Sequence, residues 1–359
     1  MTKKKKIILI ASLSLLSAVV TYFGGGLIVT KVAFDGFINK RFSDVSTLLT
    51  DDFYRIQKVR TDYPSLDERK EIPFYCNGET LKGYLYEVNS PKGLIIMAHG
   101  VNNQADGNSA QMQDYFVTHG YDLFAIDMTG CGRSTGPGIK NLHESRYCVK
   151  NAVNYVKGLN EVKDLPIFLI GHSWGGYGVV AATNDVDGIS AVCSMSGYNL
   201  PNEMTYGFVE GYTSPVVGVM QPSLNFSLSV LYGNDSFFPA EKAIKRNSDL
   251  PFMVIHGSND HTVPLKRYSL YTNIIKDNYL NVTPVLLEGM SHGAPWKTLD
   301  AVSYMASVEK DLKALSKQYG GKIPDDVHEA YLTTVDKEKS SVVNTQLLDS
   351  IDQFFQSNI

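Results

Sequence analysis

The apolar residues of this chain fall into three patterns. The first is unbroken: the 23 residues from Ile7 to Val29 include no charged side chain. As a helix they would extend about 34 Å, enough to cross a hydrocarbon core of about 30 Å. The second pattern, over residues 31–71, mixes polar and apolar positions. Phe34, Phe37, Ile38 and Phe42, then Val45, Leu48 and Leu49, recur at helical spacing and predict an amphipathic connector. From Ile72 the pattern changes to short apolar runs. Ile72–Cys76 and Thr80–Tyr86 flank the turn signal Asn77-Gly78 and predict an antiparallel hairpin. Leu94–Ala98, Tyr121–Ile126, Ile167–Ile170, Ile189–Met195, Leu250–His256 and Thr283–Leu287 predict buried strands.

Helices are predicted between these strands at about 142–159, 176–182 and 265–275. Strands that are continuously apolar and alternate with helices imply an α/β fold: a mostly parallel central sheet flanked by helices on both faces. Two stretches break the alternation. Residues 198–248 show no strand and are rich in Tyr, Phe, Pro and Gly, as an insertion capping the strand ends would be. Residues 294–359 hold one helix at about 298–319, a polar connector, and a terminal helix at about 344–356. The expected organisation is therefore an N-terminal anchor (1–30), the connector (31–71) and one domain (72–359) with a cap at about 198–248.

Charge changes the reading of the N-terminus. Lys3 to Lys6 precede the apolar run, and Gly24-Gly25-Gly26 could accommodate a signal peptidase. The apolar core of a cleaved signal is usually about 7–15 residues, and here Leu27, Ile28 and Val29 carry the run past the glycines. An uncleaved single-pass signal anchor in the cell membrane is the favoured reading, with secretion after cleavage as the alternative. Basic residues are retained on the cytoplasmic side, so the N-terminus should stay inside and the domain should be extracytoplasmic. The asymmetry is moderate, since Lys31, Lys40 and Arg41 oppose it, but the tetralysine is unbroken and sits closer to the span. A net charge of −4, with no basic block beyond the tetralysine, argues against a nucleic-acid partner. Cys76, Cys131, Cys148 and Cys193 have no metal-ligand spacing.

The candidate chemistry lies at strand ends, where ligands of such sheets sit. The run Ile167–Ile170 leads into Gly171-His172-Ser173-Trp174-Gly175, and small residues then open a helix. A serine on a tight strand-to-helix turn needs strained backbone and close approach of the flanking chain, which glycine two residues either side permits. A serine nucleophile needs a base and a group to orient that base. His292, in a loop just after a strand, is the candidate base, and Asp260, just after another, the candidate acid. His99 and His172 sit in turns beside the serine, where buttressing is the expected role. His119, His143 and His328 lie in helical or loop context. A metal held by His256, Asp260, His261 and His292 is disfavoured for want of a ligand motif. No cofactor is expected.

In order, a strand then His99-Gly100, Gly171-His172-Ser173-Trp174-Gly175, His256-Gly257 through Asp260 to Val263-Pro264, and Ser291-His292-Gly293 resemble the α/β-hydrolase family. The likeness is to its monoacylglycerol-lipase-like and peptidase-like serine branches, and extends from about residue 72 to the terminus. The resemblance implies Ser173 as nucleophile, Asp260 as acid, His292 as base, and the backbone N–H groups of Val101 and Trp174 as oxyanion donors. It also implies hydrolysis of a small-molecule or lipid ester through an acyl-enzyme. A peptidase, amidase or thioesterase on the same triad is the alternative, as is an inactive membrane-tethered binding domain. One departure concerns the loop after Ile126: the family often has arginine where this chain has Thr129, although Gly130, Gly132 and Ser134 match. The aromatic residues of the cap, Tyr198, Tyr206, Phe208, Tyr212, Phe226, Tyr232, Phe237 and Phe238, are candidates to line an acyl pocket.

Overall fold

Asn77 and Gly78, with φ of 46° and 88°, turn the chain between β1 (Lys70–Cys76) and β2 (Glu79–Tyr86). This hairpin is one edge of an eight-stranded sheet in a computed structural model that describes residues 2–42, 44–213 and 217–359, with side chains for all of these except 33, 37, 208–213 and 217. The other strands are β3 (Leu94–Ala98), β4 (Asp122–Asp127), β5 (Ile167–His172), β6 (Ala191–Met195), β7 (Phe252–Gly257) and β8 (Val282–Leu287). Their spatial order is β1-β2-β4-β3-β5-β6-β7-β8. Pairing is antiparallel for β1–β2 and β2–β4 and parallel from β4 through to β8. Every residue of β3 to β7 is buried, which is why these strands read as solid apolar runs. β8 is half exposed and carries Pro284, which an edge strand tolerates because its outer side has no ladder to donate to.

The helices are α1 (Lys3–Ala33), the single turns α2 (Thr47–Thr50) and α3 (Asp52–Arg55), α4 (Ala110–Thr118), α5 (Glu144–Val156), α6 (Trp174–Ala182), α7 (Pro201–Thr213), α8 (Val217–Tyr232), α9 (Ala240–Arg246), α10 (Leu270–Asp277), α11 (Leu299–Gln318), α12 (Asp325–Leu332) and α13 (Thr345–Gln356). One face of the sheet is covered by α5 and α6, whose Val149, Val153, Val179 and Val180 join Ile96, Ile126 and Leu169 in one core. The opposite face is covered by α4 and α13, where Phe355 stacks on Phe168 of β5 at 4.6 Å. The terminal helix is thus part of the core.

Two expectations change. Helices α4 and α12 were not legible, since each is short, and α4 buries Gln111 and Gln113 through side-chain hydrogen bonds that disguise its apolar face. The stretch 198–248 is mostly helical, and Ala243 and Ile244 of α9 share the large core with Met204 of α7 and Leu224 and Leu228 of α8. The connector is not one amphipathic helix. It is a series of short turns in which Leu49 is 79% exposed while Tyr54 and Ile56 are buried. Ile56 packs with Met305, Val308 and Leu312 of α11 and Leu332 of α12 in a third, small core. Several helices are capped by their own side chains, as Ser269, Thr298 and Asn344 do for α10, α11 and α13.

Candidate active site

Ser173 is the single residue between β5 and α6, with φ 55° and ψ −111°. A side-chain-bearing residue rarely adopts that backbone, and it persists only where the surroundings impose it. The two flanking glycines show how they do. A Cβ on Gly171 would lie 2.3 Å from the carbonyl oxygen of Gly175, and one on Gly175 only 2.1 Å from that of Ala98. The turn is further held by the N–H of Ser173 donating to Met195 (2.8 Å) and that of Gly175 to His99 (3.1 Å).

The serine Oγ meets His292, whose Nε2 is 2.8 Å away. On its other side the imidazole Nδ1 lies 2.7 Å from Oδ2 of Asp260. The second carboxylate oxygen, Oδ1, accepts from the N–H groups of Thr262 (2.9 Å) and Val263 (2.8 Å). Burial pushes the Asp260 carboxyl up, but the hydrogen bond and charge of His292 and the N–H of Val263 outweigh it. The net position is below the usual carboxylate value, so Asp260 is an anion at neutral pH. Ser173, Asp260 and His292, separated by up to 119 residues in sequence, therefore form one hydrogen-bonded row.

Beside the row is a cavity of about 190 Å³ lined by Val101, Leu142, Ser173, Tyr198, Met204, Thr262 and His292. Among the described residues, neither the N–H of Val101 nor that of Trp174 donates to the protein backbone. Trp174 begins α6, so its N–H is one of the free donors at a helix start.

The neighbouring histidines act on the frame. His99 uses Nδ1 on the carbonyl of Gly100 (2.7 Å) and takes the N–H of Met128 at Nε2 (3.1 Å). Burial lowers it to about 4, so the ring stays neutral. Gly100 passes against His172, where a Cβ would lie 3.1 Å from the ring. His172 donates from Nε2 to the carbonyl of His292 (2.8 Å), and burial brings it down to about 3. His256 is spent on the carbonyl of Val263 (2.9 Å), and His261 is exposed. His143 approaches Ser236, His119 stacks on Tyr115, and His328 pairs with Asp52.

Sequence reasoning missed several supports. Asp127, at the end of β4, accepts from the N–H groups of Ala105 (2.8 Å) and Arg133 (2.9 Å) and from the Tyr84 hydroxyl (2.7 Å). Burial raises it to about 6, and it pins the loops leaving β3 and β4. Its place before Gly130, Gly132 and Ser134 was the available signal. Thr129, where an arginine was missed, bonds Glu144 (3.1 Å). A guanidinium nevertheless braces this loop: Arg41 of the connector donates to the carbonyls of Gly132, Ser134 and Gly136. The carbonyl of Leu142 accepts from Trp174 Nε1 (3.1 Å) and the Tyr198 hydroxyl (2.6 Å), tying the loop before α5 to the start of α6 and to the chain after β6.

Of the cap aromatics, Tyr198 lines the cavity. Tyr206 bonds Asn225, Phe226 meets Phe23, Tyr232 meets Phe34, and Phe238 lies under Arg146. The side chains of Phe208 and Tyr212 are outside the described residues. Met204, which the aromatic pattern passed over, is the α7 residue at the cavity. Cys76, Glu144 and Cys148 gather within 4.8 Å in the core. Burial raises the thiol of Cys148, and Glu144 is already hydrogen-bonded by Thr129 and Asn77, so the group is a satisfied polar cluster.

Residues 89–224 match the family described as Serine aminopeptidase, S33. The human protein ABHD12B is 24% identical over 217 residues, 57% of this chain and 58% of that protein. The monoglyceride lipase of Saccharomyces cerevisiae is 30% identical over 129 residues, 33% of this chain and 38% of the lipase. The chain thus spans well under two thirds of either relative. The Pyrococcus furiosus esterase Pf2001 shares the fold, with a TM-score of 0.51 at 16% identity over 69% of this chain and 92% of the esterase. The sheet order, the serine turn between β5 and α6, and these likenesses agree on an α/β-hydrolase fold, with the likeness to the serine aminopeptidase family lying over residues 89–224.

Proposed function

We propose that this protein is a membrane-anchored serine hydrolase that cleaves carboxylic esters through an acyl-enzyme. The observation that carries the reading is His292, hydrogen-bonded at once to Ser173 Oγ and Asp260 Oδ2. In acylation, Oγ attacks the ester carbonyl carbon as His292 Nε2 takes its proton. The oxyanion is met by the N–H groups of Trp174 and Val101, which have no competing backbone acceptor among the described residues. His292 passes the proton to the departing alkoxide, which leaves as the alcohol. Water then attacks the acyl carbon, gives its proton to His292, and the returning proton releases Ser173 and the carboxylic acid. Asp260, held ionised, fixes the ring by Nδ1 and offsets the positive charge it gains at each step.

The ester reading is favoured over an aminopeptidase by the lining of the cavity. A free substrate ammonium calls for a carboxylate, and Val101, Leu142, Tyr198, Met204 and Thr262 offer none. The anchor is assigned to α1, whose apolar residues from Ile7 to Val20 are exposed along the helix, with the N-terminus cytoplasmic and the domain extracytoplasmic. Labelling with a fluorophosphonate tests the reading directly. Wild type should be labelled and should hydrolyse short-chain esters, and Ser173→Ala should lose both, with turnover down by at least about three orders of magnitude and the melting temperature kept. Unchanged turnover in that variant would remove Ser173 from the mechanism.

A further inference from the structure

The apolar helix does not leave the body at once. α8, the outer helix of the cap, lies alongside its C-terminal third. The Tyr22 hydroxyl donates to the carbonyl of Val219, and Ser223 Oγ donates to the carbonyl of Tyr22 at 3.0 Å. Phe23 meets Phe226 at 5.1 Å, and Phe34 meets Tyr232 at 4.5 Å. Gly26 is where the helices come closest: a Cβ there would lie 1.7 Å from Ser223 Oγ. The contacts run from Tyr22 with Val219 at one end to Phe34 with Tyr232 at the other, so the two helices run parallel. The N-terminal end of α8 therefore points the way that α1 points into the membrane.

Depth follows from helix geometry. Tyr22 lies seven residues inside Val29, the end of the charge-free run, or about 10 Å along the axis. Val219, beside Tyr22, reaches the same level. The composition of the cap agrees, since residues 211–234 contain no Asp, Glu, Lys, Arg or His. On α8 the outer stripe is Val219 (73% exposed), Phe226 (43%) and Val230 (58%), seven and then four residues apart and so on one face. That stripe continues the exposed apolar surface of α1 at Ile28 and Val32. The inner side of the cap reaches the cavity: Met204 of α7 lines it, and Asn202 and Tyr206 of the same helix bond Asn225 of α8.

We propose that α8 is immersed in the lipid leaflet beside α1, so that the cap docks the site on the bilayer and the substrate is an uncharged acyl ester resident in that leaflet. The proposal rests on reading α1 as a membrane anchor and the site as an ester hydrolase. Burying the α8 stripe in lipid removes three large apolar side chains from water, whereas an acidic side chain placed there would oppose insertion.

Full-length protein in phosphatidylcholine vesicles provides the test. The native cysteines are all buried, so Val219→Cys and, as a control on the body, Leu280→Cys can be labelled selectively with an environment-sensitive fluorophore. The probe at 219 should be quenched by spin-labelled lipid and shielded from iodide, and the probe at 280 the reverse. Val219→Asp should lower turnover of a long-chain monoacylglycerol in vesicles about tenfold or more, while a water-soluble short-chain ester changes less than about twofold. Quenching at 219 by iodide and not by lipid overturns the proposal, as would an efficient 219–219 cross-link, which would give the stripe to a second copy of the chain. Equal losses on both substrates also count against it. Failure of the underlying reading looks different: wild type would then not react with fluorophosphonate or cleave either ester, whatever the probe reports.

Discussion

The ring of His172 holds the backbone of His292, with Nε2 of one 2.8 Å from the carbonyl oxygen of the other. The residue before the serine thus sets the height of the imidazole that faces the serine, and Trp296 packs edge-on to the same ring at 5.3 Å. His172→Ala should lower kcat by about ten- to a hundredfold while leaving KM nearly unchanged, because displacement of a base by an ångström or less costs rate before it costs binding. Burial keeps His172 neutral to about 3, so its loss should not move the pH profile between 5 and 9. Steady-state kinetics on a soluble ester over that range decides it.

Asp260 and Asp185 separate orientation from structure. Asp260 bonds His292, whereas Asp185 pairs with the buried guanidinium of Arg146 at 2.7 and 2.9 Å. Asp260→Asn should reduce kcat by about three to four orders of magnitude with little change in fold. Asp185→Asn should keep the rate within about twofold but cost on the order of 1–2 kcal/mol of stability, since Arg146 would keep only the longer contact to Asp235 at 3.4 Å. The reverse pattern in kinetics and denaturant melts would reassign the acid.

Lys297 makes stability depend on pH. It is fully buried, with Nζ donating to Gln57 of the connector, and burial lowers it from 10.5 to about 7. Between those values the unfolded chain binds a proton that the folded chain does not, so stability falls as pH drops from about 10.5 to 7 and the effect is complete below about 7. Lys297→Met keeps the volume and removes the proton. Relative to this variant, wild type should gain stability from pH 7 to 9.5 by an amount on the order of a few kcal/mol. Parallel denaturation curves at the two pH values would argue that Lys297 is charged when folded.

Arg41 fastens the connector to the loop after β4 through three carbonyls. Arg41→Ala should cost about 1–3 kcal/mol, the range of hydrogen bonds from a charged donor. Arg41→Lys should restore only part of this, because an ammonium cannot present the fork of a guanidinium. Thermal melts of the three proteins check the order.

The sheet was legible because β3 to β7 are buried on both faces, so each strand is a run of apolar residues with polar punctuation. Ser173, Asp260 and His292 could be singled out as candidates because each follows a strand end, and two glycines flank the serine. The helices α4 and α12 were hidden for the opposite reason: α4 is nine residues with buried glutamines, and α12 is eight residues of which only Leu332 is buried, so neither carries a clear period. The aromatic pattern of the cap was misleading as a guide to the cavity, since Phe226 touches Phe23 and is otherwise exposed, Tyr232 packs on Phe34, and Met204 lines the cavity.

Sequence alone determined what is local: the length of the apolar span, the strand runs, and the glycines without which the serine turn could not close. Those follow from chain geometry and from the cost of burying polar backbone, and they act within a few residues. Tertiary structure alone decided the rest. The meeting of Ser173 with His292 across 119 residues, the use of Arg41 in place of an arginine at 129, and the pairing of α8 with α1 all join segments distant in sequence. Such contacts depend on which surfaces the completed sheet leaves side by side, and no periodicity within either segment encodes its partner.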